Sequence, residues 1–314
     1  MSKVIMQVSP LPTFMMNALQ EADYLVHDHT YIKDPDALSK VTALIGTSAD
    51  AKVDRRLLSM LPNLKMIAIC GVGYDGLDLD AILAKNIVVT NTPGVMCDDV
   101  ADLAMGLVLA VGRRIAQADR FMRNGDWVDE PFPMTQRVSG ASLGIVGMGR
   151  VGRAVAQRAK GFDMQVSYTD QAPKPNVAHP FVAEIKALAA QVDYLVVAVP
   201  LMTETKNLIN AEVLQALGPK GYLVNVAHGS VIDQPALVQA LKDKTIAGAG
   251  LDVFWDEPRV EPELRRMTQV VCTPHMGAGT EETRRAMAEL ALANLNAFFD
   301  VQPVLTPIQE CQVI

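Results

Sequence analysis

Several scarcities in the sequence narrow its class. Only four cysteines occur in 314 residues, Cys70, Cys97, Cys272 and Cys311, with no C-x-x-C spacing and no disulfide-framework density. They read as reduced, mostly buried thiols of a cytoplasmic protein. No apolar stretch approaches the ~20 residues of a membrane span. The run from Leu103 to Val111 is too short and follows a helical stripe. The opening segment MSKVIMQVSPLP has no long apolar core and no small-residue cleavage pattern, so no signal peptide is expected. Basic charge is not in excess: 28 Lys and Arg face 35 Asp and Glu, a net charge of -7. That balance excludes a general nucleic-acid binder and leaves room for a local pocket that takes an anion. No His/Cys/Asp cluster has metal-ligand spacing, so no metal is expected. No G-x-S-x-G elbow appears either, which removes a serine nucleophile.

What is present is apolar and rhythmic. Half of the residues are hydrophobic, and the length favours two domains over one. Val4–Val8, Val41–Thr47, Leu64–Cys70 and Ile87–Thr92 read as buried strands. Leu11–Glu21, Arg55–Leu61 and Leu79–Ala84 read as the helices between them. This βαβ rhythm predicts a parallel sheet covered on both faces. A longer helix starts at Asp98, its expected cap, with Val100, Leu103, Ala104, Leu107, Val108 and Val111 on one face. The segment Asn124–Arg137 reads as a loop. A second βα series follows, with strands expected at Ala141–Val146, Met164–Thr169, Tyr194–Val199, Tyr222–Val226, Ile246–Val253 and Val270–Thr273. Glu281–Phe299 reads as a final helix capped by Thr280.

The strongest single motif is Gly147-Met148-Gly149-Arg150-Val151-Gly152, which follows the apolar strand SLGIV and opens a helix. In that context Gly147 permits a tight turn, Gly149 lets the backbone approach a pyrophosphate, and Gly152 lets the helix pack on the strand. The helix N-terminus then offers N–H groups to phosphates. A glycine turn made for packing alone explains one glycine better than three. Asp170 ends the next strand, about 20 residues on, where an acid accepts from ribose hydroxyls and repels a 2′-phosphate. The pattern favours NAD over NADP; Lys174 offers some phosphate affinity, but the flanking Pro173 and Pro175 leave its direction open.

Seven segments now fall into one order: CGVGYDGLD (70–78), DDVADLAMGLVLA (98–110), LGIVGMGRVG (143–152), VPLMTET (199–205), LVNVAHGSVID (223–233), GLDVFWDEP (250–258) and TPHMGAGT (273–280). The chain thereby resembles the D-isomer-specific 2-hydroxyacid dehydrogenases over nearly its whole length, and is most similar to the hydroxyphenylpyruvate, hydroxypyruvate and glyoxylate reductase branch. The resemblance implies two doubly wound α/β domains, with a Rossmann NAD-binding domain (98–283) inserted into a flavodoxin-like substrate domain (1–97 and 284–314). It implies a ligand cleft between them and a homodimer built partly on the helix from Asp98. The implied substrate is a small anionic 2-keto or 2-hydroxy acid.

By the same resemblance His275 is the acid/base histidine and Glu257 its carboxylate partner. Hydride reduction of a ketone leaves charge on oxygen, so a proton must arrive with the hydride, and an imidazolium steadied by a carboxylate can supply it. Either residue alone would read as ordinary. Val72 and Gly73, in the loop Gly71-Val72-Gly73-Tyr74, are implied to cradle the substrate carboxylate with backbone N–H groups. Arg150, Val151, Pro200, Thr205, Val226, Ala227 and Asp252 are implied to join the glycines and Asp170 at the cofactor.

One position departs from the pattern. Where the family carries arginine in N-x-x-R-G, this chain has Asn225-Val226-Ala227-His228-Gly229. A guanidinium grips a carboxylate with two parallel hydrogen bonds, whereas an imidazole is shorter and offers one or two donors. His228 is therefore compatible with a specialised pocket, with a weakened or altered enzyme, or with an NAD(H)-binding regulatory protein that has left catalysis behind. The retained pair of His275 and Glu257 argues against the last. His27 and His29, near a first-domain strand, and His179, in a Pro-rich loop, have no metal-like partners in sequence.

Overall fold

The computed structural model describes residues 3–28, 34–48 and 50–311. His29 lies outside them. The chain divides into two compact units, Met1–Met96 with Thr280–Ile314, and Cys97–Gly279. Cys97 thus groups with the second unit, and residues 280–283 with the first.

The β-branched runs of the first unit become strands because both their faces are covered. It runs β1 (Lys3–Gln7), α1 (Thr13–Glu21), β2 (Tyr24–Asp28), α2 (Pro35–Leu38), β3 (Ala43–Thr47), α3 (Arg55–Met60), β4 (Met66–Cys70), α4 (Leu79–Leu83) and β5 (Val88–Thr90). All pairs are parallel in the order β2-β1-β3-β4-β5, a flavodoxin-like sheet. Every residue of β4 is buried, as a central parallel strand requires. Asp54 and Asp78 cap α3 and α4 by accepting from Leu57 N–H (2.8 Å) and Ala81 N–H (3.1 Å). The core joins Met6, Leu44, Ile67 and Val89 to Leu58 and Ile82, and Ile308 near the chain end enters it. The helix Glu281–Phe299 packs on α1 and β4. Thr280 caps it as expected, accepting from Thr283 N–H at 3.1 Å.

The second unit opens with α5 (Cys97–Gly112) and α6 (Ile115–Asn124). Because α5 starts at Cys97, Asp98 sits in its first turn and not at its cap, where its charge still suits the helix dipole. Arg158 reaches Asp98 (3.1 Å) and also pairs with Asp102. The segment read as a loop from Asn124 contains a short 3-10 turn, Asp126–Val128. Then follow β6 (Ser142–Val146), α7 (Arg150–Ala159), β7 (Gln165–Thr169), α8 (Ile185–Ala189), β8 (Tyr194–Val197), α9 (Ala211–Leu217), β9 (Tyr222–Asn225), α10 (Gln234–Lys242), β10 (Gly248–Leu251), α11 (Pro262–Arg266) and β11 (Val270–Cys272). Glu281–Phe299 is α12.

This sheet is also all parallel, ordered β11-β10-β9-β8-β6-β7. Beyond β7, Phe181 forms one parallel bridge to Tyr168. Counted as a vestigial third strand, that bridge restores the usual dinucleotide-binding order, with one strand added at the far edge. The direction of succession reverses between β6 and β8, and the carboxyl ends beside such a reversal are where α/β sheets bind ligands.

Candidate active site

Every site residue expected in the second unit lies at or just beyond the carboxyl end of one of its strands. Parallel pairing brings those ends to one edge of the sheet. Gly147 follows β6 with φ +96°, a turn that suits glycine. A Cβ on Gly152 would lie 2.0 Å from the Gly147 carbonyl oxygen, so only glycine lets α7 start this close to the strand. Gly149 is the residue before α7, has no side-chain cap, and has open space where a Cβ would point. Arg150 and Val151 form the first turn of α7. These features fit a pyrophosphate held by backbone N–H groups.

Asp170, just after β7, accepts from Met148 N–H at 2.9 Å, which ties it to the glycine turn. Lys174 Nζ lies 2.8 Å from its other oxygen. Burial pushes the Asp170 carboxyl up, but the Lys174 ammonium and the Met148 and Gln171 N–H groups outweigh it and hold the carboxyl below its ordinary value. The direction of Lys174, open in the sequence, is thus toward Asp170.

Beyond β8, Thr205 is buried, and its hydroxyl lies 2.7 Å from the Pro200 carbonyl oxygen and 2.7 Å from Met202 N–H. Its polar capacity shapes the loop. Beyond β9, the fully buried Asn225 accepts from Ala227 N–H at 3.0 Å and donates to the His228 carbonyl oxygen at 3.0 Å. Val226 and Ala227 are held in that bend. Gly229 then packs so tightly on the next loop that a Cβ would sit 2.0 Å from the Phe254 carbonyl oxygen.

That contact brings His228 within electrostatic reach of Glu257. The His228 side chain does something else as well: Nδ1 accepts from Ser230 N–H at 3.2 Å and caps the turn Gly229–Val231. With Nδ1 turned to the backbone, Nε2 is the ring nitrogen left to face a ligand.

His275 and Glu257 meet. His275 Nδ1 and Glu257 Oε2 are 2.6 Å apart, with side-chain exposures of 59% and 32%. The other Glu257 oxygen accepts from Phe254 N–H at 2.8 Å. Burial works to raise the Glu257 carboxyl. The hydrogen bonds from His275 and Phe254, with the charges of His275 and His228, outweigh it and hold the carboxyl low. His275 adopts φ +50°, a left-handed conformation uncommon for a residue with a side chain.

Asp252 explains how that conformation is held. It is 2% exposed. Its carboxylate accepts from the Thr273 hydroxyl (2.6 Å), Met276 N–H (2.9 Å) and Gly277 N–H (2.9 Å), and its carbonyl oxygen accepts from His275 N–H (2.9 Å). Asp252 therefore clamps the loop that carries His275. The sequence reading missed the contributions of Asn225 and Thr273; a polar residue at a strand end is their only signal in sequence. In the first unit, Val72 and Gly73 lie in the turn just after β4, both exposed.

Comparison with known proteins identifies the family. Residues 105–277 match the family described as D-isomer specific 2-hydroxyacid dehydrogenase, NAD binding domain. The chain is 42% identical to a hydroxyphenylpyruvate reductase of Plectranthus scutellarioides, over 97% of this chain and 98% of that one. Its fold is similar to the 2-hydroxyacid dehydrogenase of Ketogulonicigenium vulgare (TM-score 0.91, 38% identity, 98% of both chains). It is also similar to an NADPH-dependent glyoxylate/hydroxypyruvate reductase of Sinorhizobium meliloti, solved with NADP and malonate (TM-score 0.90, 36% identity, 99% of this chain and 98% of that one).

Proposed function

The chain belongs to the D-isomer-specific 2-hydroxyacid dehydrogenases, oxidoreductases with an NAD-binding domain, and from that premise we propose that it reduces a small 2-keto acid to the D-2-hydroxy acid. The observation that carries the reading is the 2.6 Å contact between His275 and Glu257, at the same sheet edge as the glycine turn.

Gly147, Gly149, Gly152, Arg150, Val151 and Asp170 would hold the dinucleotide, with Pro200, Thr205, Val226, Ala227 and Asp252 lining its path. Bound there, the nicotinamide would supply the hydride. His275 donates a proton to the carbonyl oxygen as negative charge develops on it. Glu257, kept ionised, favours the imidazolium and fixes the ring through Nδ1. Val72 and Gly73 hold the substrate carboxylate with backbone N–H groups. His228 presents its Nε2–H as a single donor in place of the family's forked guanidinium. The substrate class is glyoxylate, hydroxypyruvate or a phenylpyruvate-like acid. The Asp170 carboxylate favours NADH, and Lys174 beside it softens the repulsion of a 2′-phosphate. The same reading takes the enzyme as a homodimer of a reducing compartment such as the cytoplasm, in keeping with four unbridged cysteines.

The test is product chirality. Purified protein is incubated with NADH and hydroxypyruvate or phenylpyruvate, and the hydroxy acid formed is resolved on a chiral column. The D enantiomer is expected. The L enantiomer, or NADH binding without any product, contradicts the proposal.

A further inference from the structure

The loop proposed to hold the substrate carboxylate has no cationic side chain of its own, so its grip depends on how its peptide groups are aimed. Asn91 Nδ2 donates to the Val72 carbonyl oxygen at 2.9 Å. The Val72 carbonyl and the Gly73 N–H belong to one planar trans peptide and point in opposite directions. Fixing the carbonyl onto Asn91 therefore fixes the Gly73 N–H on the other side, away from Asn91. No described residue accepts from the N–H of Val72 or Gly73.

Asn91 is itself held firmly. It is 9% exposed. Its N–H donates to the Thr306 carbonyl oxygen (3.2 Å), and its carbonyl oxygen accepts from the Thr306 hydroxyl (2.6 Å). Asn294, fully buried on α12, donates to that hydroxyl (2.8 Å) and accepts from Leu305 N–H (2.9 Å) and Thr306 N–H (3.0 Å). The neighbouring Thr92 fixes Gly71: its hydroxyl accepts from Gly71 N–H (2.9 Å), and its N–H donates to the Gly71 carbonyl oxygen (2.8 Å). A chain of hydrogen bonds thus runs from Asn294 through Thr306 and Asn91 to Val72.

We infer that Asn91 is a positioning residue that sets the Val72–Gly73 peptide with its N–H toward the substrate carboxylate, and that the Asn294–Thr306 clamp holds Asn91 for that task. The inference rests on the proposed role of the Val72–Gly73 loop. With a histidine where the resemblance implies an arginine, this backbone grip bears more of the anion binding.

The test compares wild type with Asn91→Ala in NADH-dependent reduction of hydroxypyruvate and in calorimetric binding of oxalate to the NADH-loaded protein. Losing one oriented peptide donor should raise the KM for hydroxypyruvate and the Kd for oxalate about tenfold. NADH affinity should hold, and kcat should stay within about threefold. A lowered melting temperature with unchanged KM and oxalate affinity overturns the inference, because a purely structural residue gives that result. Should Asn91→Ala fail to fold, Thr306→Val removes the hydroxyl that holds Asn91 while keeping side-chain volume. It should move KM and oxalate affinity in the same direction, and no movement overturns the inference. Wild type that turns over hydroxypyruvate while Asn91→Ala keeps its KM rejects Asn91 alone. Wild type that neither turns over the keto acid nor binds oxalate rejects the functional reading and this inference together.

Discussion

His228 Nδ1 accepts the N–H of Ser230 at 3.2 Å, so the ring proposed to meet the substrate is also the cap of the turn behind it. The cap is one use of this side chain and the proposed substrate contact a second, and the two separate under substitution.

His228→Arg restores a forked, permanently charged donor and removes the acceptor that caps the turn. Activity toward glyoxylate should rise about tenfold or more, since hydrogen bonds to charged groups are worth roughly 1.5–3 kcal/mol. Stability should fall by about 1 kcal/mol for the lost cap. Paired kcat/KM and urea-unfolding measurements check both. Unchanged or lower activity would mean that the pocket is built around the imidazole.

Glu257 is held below its ordinary value by His275, the Phe254 N–H and His228, against burial. A carboxyl depressed in the folded state adds stability above its unfolded pKa and loses it as pH falls through the folded value. Wild type should therefore be more stable than Glu257→Gln near neutral pH, and the gap should close in acid. Activity of the variant should fall about 100-fold at neutral pH, within the usual range for acid–base catalysis. The alkaline limb of its rate profile should move to lower pH. Urea unfolding and kcat/KM across pH read these effects.

Gly152→Ala places a methyl group where the Gly147 carbonyl oxygen already lies 2.0 Å away. The start of α7 must shift off β6, and NADH affinity should drop at least about tenfold, the loss of roughly one phosphate hydrogen bond. Fluorescence titration with NADH measures it.

Lys174→Ala removes the cationic partner of the Asp170 carboxylate and leaves it only backbone N–H groups. The Kd for NADPH should rise about fivefold to tenfold, while that for NADH changes little, because only the 2′-phosphate meets the bared charge. Equal changes for both cofactors would show that Lys174 does not discriminate between them.

Much of the architecture was legible because parallel strands buried on both faces read as unbroken aliphatic runs, as in MIAIC and SLGIV. Other elements gave weaker signals. The helix α6 buries none of its own residues, so no apolar core face announced it. Phe181 pairs through one bridge, too short to read as a strand. At the site, the glycine turn and Asp170 were readable because their spacing follows from backbone geometry. The capping by His228, the clamp of Asp252 on residues 273–277 and the pairing of Lys174 with Asp170 were not. Each depends on loops that meet only after the sheet has brought strand ends together.

The central claim is that the His275 imidazole delivers the proton that accompanies hydride transfer. The most direct test follows NADH absorbance with hydroxypyruvate for wild type and His275→Ala, with NADH binding measured for both. The account predicts turnover by wild type and a loss of about 100-fold to 10,000-fold in the variant, with NADH bound equally well. Equal rates in the two proteins, or NADH binding by wild type without any turnover, would contradict it.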